Sequence, residues 1–151
     1  MSSLESILKS KPITDPYSRL VLNVMVTGVW LQKVMNTLFK PHGITEPQYN
    51  VLRILRGQQG AAMNLFEISD RMIHPTSNVS RIIDKLIEKG YVTRVASSGN
   101  RRKVDISITA AGLNLLADLE SVIANRFLDF ASKIPAEEAM HLSRELDMLR
   151  S

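Results

Sequence analysis

The hydrophobic pattern of this 151-residue chain changes period at Gly90. Before it, over Pro75–Lys89, apolar side chains recur at three- and four-residue steps, which is the spacing of an amphipathic helix. After it, over Tyr91–Ile108, apolar and polar residues alternate on both sides of a turn at residues 97–100, which predicts a β-hairpin. Pro75 fits a first helical position and Gly90 fits a helix stop. The pattern therefore predicts a helix followed by a hairpin wing.

Helical spacing also predicts three helices before this segment. Asp15 and Pro16 favour the start of a long, strongly apolar helix that runs from Tyr17 to about Phe39. Because it is so apolar, this helix is expected to be buried on more than one side. Capping-box sequences then predict a helix over residues 45–56 and a short helix over residues 64–72.

The short helix 64–72 directly precedes the helix that begins at Pro75. Its apolar residues Leu65, Ile68 and Met72 are expected to point inward. Two short helices joined by so few residues are typical of a helix-turn-helix.

Two further helices follow the wing, one capped by Thr109 and one starting at Pro135. With the first long helix, they carry more apolar surface than a winged helix can cover, which predicts a homodimer. An intramolecular helical bundle is the alternative. The predicted fold is mainly α with a small β-hairpin wing: a winged helix-turn-helix over residues 45–109, with long dimerisation helices in the segments 1–44 and 110–151.

Composition excludes several classes of protein and site. Cysteine is absent, so disulfides, thiolate metal sites and a cysteine nucleophile are excluded. The most apolar window, Leu20–Leu31, contains polar residues and is too short to span a bilayer. The first eleven residues are polar and acidic where a signal peptide needs an apolar run. A cytoplasmic protein without a membrane partner is therefore expected.

The excess positive charge lies in the middle of the chain. Residues 45–109 carry ten Lys and Arg against six Asp and Glu, whereas the remainder carries nine of each. Between Arg71 and Lys103 the ratio is eight to two. A concentration of cations on one element is typical of a protein that binds a polyanion. The alternative is an ordinary solvated face.

The candidate DNA-contacting residues lie at the start of the predicted helix 75–89. Asn suits a bidentate contact to adenine and Arg one to guanine, whereas other polar groups position the helix on phosphates. The predicted base-contacting residues are Ser77, Asn78, Ser80 and Arg81, and the predicted phosphate-contacting residues are Thr76 and Lys85. Helix capping is the alternative for residues 76–78, and interaction with Asp84 and Lys85 is the alternative for Arg81.

The wing supplies three more candidates, Arg101, Arg102 and Lys103. Adjacent cations repel one another, and phosphates or a narrow minor groove would relieve that repulsion. A simple contribution to solubility is the alternative.

The sequence carries no recognisable catalytic motif, so an enzyme is not expected. His42, His74 and His141 lack metal-ligand spacing, and neither a metal nor a cofactor is predicted. Trp30 and Tyr49 could line an effector cleft, but core packing is the favoured interpretation.

Three segments, taken together in order, resemble the MarR family of bacterial winged-helix transcription regulators over nearly the whole chain. They are residues 45–52, which begin TEPQY, residues 77–94, and residues 100–112. The resemblance implies a homodimer with intertwined terminal helices. It also implies recognition helices in successive major grooves of a pseudo-palindromic operator, with wings in the flanking minor grooves. In many relatives, a small molecule in a cleft between the dimer helices and the reading head lowers DNA affinity.

One position departs from the family pattern. The family usually has an Asp at the place of Asn100, where it forms a salt bridge with the wing arginine, here Arg102. Asparagine can accept a hydrogen bond but cannot form the ion pair. The expected function is nevertheless a homodimeric, sequence-specific double-stranded DNA-binding transcriptional repressor that responds to a small-molecule effector. The alternative is a winged-helix module that binds protein and not DNA.

Overall fold

A computed structural model describes residues 3–74, 78–97 and 100–151, and their side chains except at positions 97 and 100–103. The chain forms two compact units, residues 1–46 and residues 47–151. In the described ranges, every helix is too short or too polar to cross a membrane.

The first unit is built from a short helix, α1 (Leu4–Leu8), and a long helix, α2 (Pro16–Phe39). The predicted start of α2 is confirmed, because the Asp15 carboxylate accepts a hydrogen bond of 2.7 Å from the N–H of Ser18. A 3-10 turn over Lys40–His42 follows α2.

The second unit contains the predicted winged helix-turn-helix. Three helices, α3 (Glu46–Arg56), α4 (Leu65–Asp70) and α5 (Val79–Glu88), precede the strands β1 (Val92–Ser97) and β2 (Asn100–Ile108). The strands pair antiparallel with Val92 opposite Ile108. Met63 and Ile106 exchange two backbone hydrogen bonds, of 3.0 and 2.9 Å, which fasten the chain before α4 to β2.

Two helices end the second unit, α6 (Ala110–Ala131) and α7 (Ala136–Leu149). The predicted fold class, mainly α with a small hairpin wing, is confirmed. The core of this unit is apolar and draws on α3 to α6 and the hairpin. Its fully buried side chains are Val51, Leu52, Leu55, Ile68, Ile83, Leu86, Val92, Ile106, Leu116 and Leu119.

The junction between α5 and α6 is closely packed. The Thr109 hydroxyl donates to the carbonyl of Gly90 at 2.7 Å and accepts from the N–H of Gly112 at 3.1 Å, so the predicted cap is confirmed. A Cβ on Gly112 would lie 2.5 Å from the carbonyl oxygen of Tyr91. Only glycine fits there without displacing backbone.

The structure corrects two predicted boundaries. The second helix of the helix-turn-helix begins at Val79 and not at Pro75, because Asn78 has non-helical angles (φ −107°, ψ 19°). The first one ends at Asp70, before the predicted Met72. Residues 71–74 and Asn78 therefore lie outside both helices.

One prediction of burial is wrong. Leu65, expected to point inward, is 39% exposed, whereas Ile68 and Met72 are buried as predicted. Within the single chain, the long helix α2 has Phe39 as its buried residue, and Trp30 is 47% exposed. This helix carries more apolar surface than the described chain covers, and its burial against a second copy stays a prediction.

Candidate nucleic-acid interface

Helix α5 has two faces of opposite chemistry. Val79, Ile83 and Leu86 are buried, and this burial holds the helix in the second unit. The opposite side and the N-cap are exposed and polar. The exposed residues include Asp84 and Glu88. Among the exposed residues, those predicted to contact DNA, hereafter the reading face, are Asn78, Ser80, Arg81 and Lys85. Four of the predicted site residues thus share one solvent-facing surface.

Asn78 occupies the N-cap position of α5 but its side chain forms no capping hydrogen bond with the described helix. The capping alternative is therefore wrong for this residue. Because the residue is exposed, its amide can make the paired donor and acceptor contacts that recognise an adenine edge.

The cations of the reading face are not neutralised within the described chain, where Arg81 and Lys85 form no salt bridge. Asp84, the expected partner of Arg81 in the alternative interpretation, instead forms a salt bridge with Arg94 on β1, with Oδ1 and Nη1 2.9 Å apart. This pair joins α5 to the hairpin. No spacing rule predicts it, since its residues lie on two different elements.

The structure describes the remaining predicted site residues only in part. The backbone of Arg101, Arg102 and Lys103 lies in β2, in the strand that leads away from the turn. Their side chains, and that of Asn100, lie outside the described part of the chain, as do Thr76 and Ser77. The contacts expected of these residues remain predictions.

A groove of about 490 Å³ lies beside the reading face, within the second unit. The sequence pattern did not reveal it, because it needs the hairpin to lie beside α4 and the start of α5. Phe66 is 77% exposed at this groove. The lining residues are Asn64, Leu65, Phe66, Ser80, Arg94, Val104 and Ile106.

In the described ranges, no three His, Asp or Glu side chains are placed to share a metal ion. Tyr49, weighed as a cleft residue, is half-buried on α3, and its hydroxyl accepts from Nη1 of Arg53 at 2.9 Å.

Comparison with known proteins relates this chain to a family of DNA-binding regulators. The family model described as MarR family matches residues 44–104, which include α3, α4, α5, β1 and most of β2. The HTH-type transcriptional regulator PapX of Escherichia coli is 29% identical over 115 residues, covering 73% of this chain and 70% of PapX. The chain resembles the MarR-family regulators. The predicted resemblance is thereby borne out, and with it a DNA-binding transcriptional regulator.

Solved MarR-family structures share the fold. A MarR transcription factor from Planctomyces limnophilus is 28% identical, with a TM-score of 0.70 over 91% of this chain and 99% of its own. The C80S mutant of E. coli MarR in complex with operator DNA is 20% identical, with a TM-score of 0.74 over 90% of this chain and 99% of its own. This chain therefore has the fold of a protein that was solved on DNA.

Proposed function

We propose that this protein acts as a cytoplasmic homodimeric repressor that reads a pseudo-palindromic operator in double-stranded DNA and releases it when a small molecule binds. The observation that carries the DNA-reading part is the reading face. It is exposed, polar and cationic, and it lies on an amphipathic helix whose apolar face is buried in the core. It also lies in the segment that carries the excess positive charge of the chain.

The proposed contacts follow from side-chain chemistry. Asn78, Ser80 and Arg81 would contact base edges in the major groove. Lys85 and Thr76 would contact phosphates. Ser77 would contact base edges, as the other three residues would. On the wing, Arg101, Arg102 and Lys103 would enter the minor groove, where their charges face phosphates.

Dimerisation is supported by the exposed apolar side chains of α2. Val29 is 70% exposed, and Tyr17, Val21 and Met25 are exposed on the same helix. Contiguous apolar surface of this kind marks a protein interface. A second copy would cover it and would place two reading faces on one duplex, with half-sites about one helical turn apart.

The effector part of the proposal is supported by the groove beside the reading face. Its volume of about 490 Å³ is in the range of small-molecule sites. An occupant would lie against Ser80 of α5, so its binding could alter DNA contacts. A screen of small molecules for thermal stabilisation tests this, because a specific ligand raises apparent stability by mass action.

The test of DNA binding begins with selection of genomic fragments by the purified protein, followed by fluorescence-anisotropy titration at several salt concentrations. Binding should weaken steeply with salt, with a slope of about −0.9 per neutralised phosphate. Arg101→Ala combined with Arg102→Ala should weaken binding and reduce the slope by up to about 1.8.

The matched control removes two cations outside residues 45–109, Lys133→Ala with Arg144→Ala, and should bind as the wild type does. The proposal fails if the wing variant binds with unchanged affinity and slope. A wild-type protein that captures no duplex, but binds protein independently of salt, would favour the alternative of a protein-interaction module.

A further inference from the structure

The connection between α4 and α5 is fastened to α3 by one side chain. The backbone N–H of Ile73 donates to Oδ1 of Asn50 with an N···O distance of 2.9 Å, across 23 residues of sequence. The neighbouring N–H groups of Arg71 and Met72 donate only to carbonyls of α4. Within the described part of the connection, Asn50 thus supplies the hydrogen bond that reaches a different helix.

Asn50 offers its acceptor from a fixed position. Its neighbours on α3, Val51 and Leu52, are fully buried, and the Asn50 side chain is itself half-buried. Ile73 lies in the opposite environment, since its side chain is exposed. The backbone at Ile73 is therefore held by the bond to Asn50 and by the buried side chain of the preceding residue, Met72, and not by packing of the Ile73 side chain.

The position of Ile73 matters because the reading face follows it closely. Asn78 comes five residues later, and α5 begins at the next residue. A restraint at Ile73 limits the positions from which the chain can enter α5. We propose that Asn50 is a positioning residue for DNA recognition, which orders the backbone at Ile73, ahead of α5, before DNA is bound. This inference rests on the proposed function.

The expected effect is on specific binding. Without the bond, the connection samples more conformations, and binding to a specific sequence must then order it. If DNA binding must also fix the backbone of one residue, affinity falls by about five- to thirty-fold. Non-specific binding depends mainly on the number of neutralised phosphates and needs no fixed register. Discrimination between operator and random DNA should therefore fall.

The test uses the full chain and two duplexes, a fragment selected by the wild type and a shuffled duplex of equal length and composition. Asn50→Leu removes the acceptor at similar side-chain size, and Asn50→Asp retains an acceptor. Asn114→Leu, at an exposed position on α6, is the matched control. Affinities for both duplexes are measured at two salt concentrations, so that the added charge of Asn50→Asp is separated from its hydrogen bond.

A second measurement, hydrogen–deuterium exchange at the Ile73 amide, reports the bond itself. We expect Asn50→Leu to speed that exchange and lower discrimination about five- to thirty-fold, with Asn50→Asp restoring both and Asn114→Leu changing neither. Unchanged exchange or discrimination in Asn50→Leu would overturn the inference, as would an equal loss on both duplexes or no rescue by Asn50→Asp. A wild type that binds neither duplex would instead overturn the proposed function, and the inference with it.

Discussion

Helices α5 and α2 both expose a large part of their surface, but the chemistry of what they expose is opposite. On α5 the apolar residues Ile83 and Leu86 are fully buried, and the exposed side is polar and cationic. On α2 the exposed positions are themselves apolar, and they include Val29 and Trp30. The hydrophobic requirement of α5 is satisfied within its own unit, whereas that of α2 is not.

This difference teaches what kind of partner each surface suits. A polar, cationic face can remain in water until a polyanion replaces its counterions, so the helix is stable without its partner. An exposed apolar face has a continuing free-energy cost in water, which a second protein surface removes. The first arrangement fits reversible binding of DNA, and the second fits a lasting protein interface.

The largest effect is expected from the buried side of α5. Ile83→Ala should lower the free energy of unfolding by about 2–5 kcal/mol, because it removes buried methyl groups and leaves a cavity. Urea denaturation at fixed protein concentration measures this. Val95→Ala, at an exposed position of β1, should change stability by less than about 0.5 kcal/mol. Equal effects of the two substitutions would mean that α5 is not held by its apolar face.

The next effect concerns α2. Val29→Glu should weaken dimerisation at least about thirtyfold, because an unpaired charge in an apolar interface costs about 2 kcal/mol or more. Sedimentation velocity over a range of concentrations measures the dissociation constant. The matched substitution Val95→Glu, also at an exposed apolar position, should leave the dimer intact. If the wild type were monomeric, the exposed apolar face of α2 would not be a dimer interface.

Within the reading face, Arg81 and Lys85 are expected to act differently. Arg81→Ala should cost about 1–3 kcal/mol on the operator and relax specificity at one base pair. Lys85→Ala should weaken binding to all duplexes alike and reduce the salt slope by about 0.9. Anisotropy titrations with the selected and shuffled duplexes separate the two patterns. If both variants lost affinity uniformly, the reading face would carry charge and no sequence information.

The smallest effect is expected in the first unit, where α1 and α2 are joined by a salt bridge between Glu5 and Arg19. The hydrogen bond from the Arg19 guanidinium lowers the pKa of Glu5 from 4.5 to about 2. The resulting stabilisation is present above about pH 4.5 and is lost as the pH falls towards 2. Glu5→Gln should therefore make the melting temperature slightly less dependent on pH across this range. Identical profiles for the two proteins would show that the salt bridge contributes nothing.

The order of elements and the polar face of α5 could be predicted because both depend on local signals. The change of hydrophobic period at Gly90 and the caps Asp15 and Thr109 act over a few residues, so the sequence carries them directly. The start of α5 was misplaced because proline permits a helix start but does not require one.

The remaining features depend on how elements pack together. Leu65 lies in a six-residue helix, too short for helical spacing to define one inward face. The pair of Asp84 and Arg94, the groove beside Ser80 and the bond between Asn50 and Ile73 all join different elements. No sequence period connects such residues, so these parts of the candidate site needed the structure.

The close approach at Gly112 has a mechanical consequence. Gly112 of α6 packs against the backbone of Tyr91, and Thr109 bonds to Gly90, both just after α5, so the two helices are joined at a closely packed elbow. With 22 residues, α6 is a lever about 33 Å long, and a displacement of about 3 Å at its far end corresponds to a tilt of about five degrees at the elbow. A displacement at the far end of α6 would therefore tilt α5, which carries the proposed reading face.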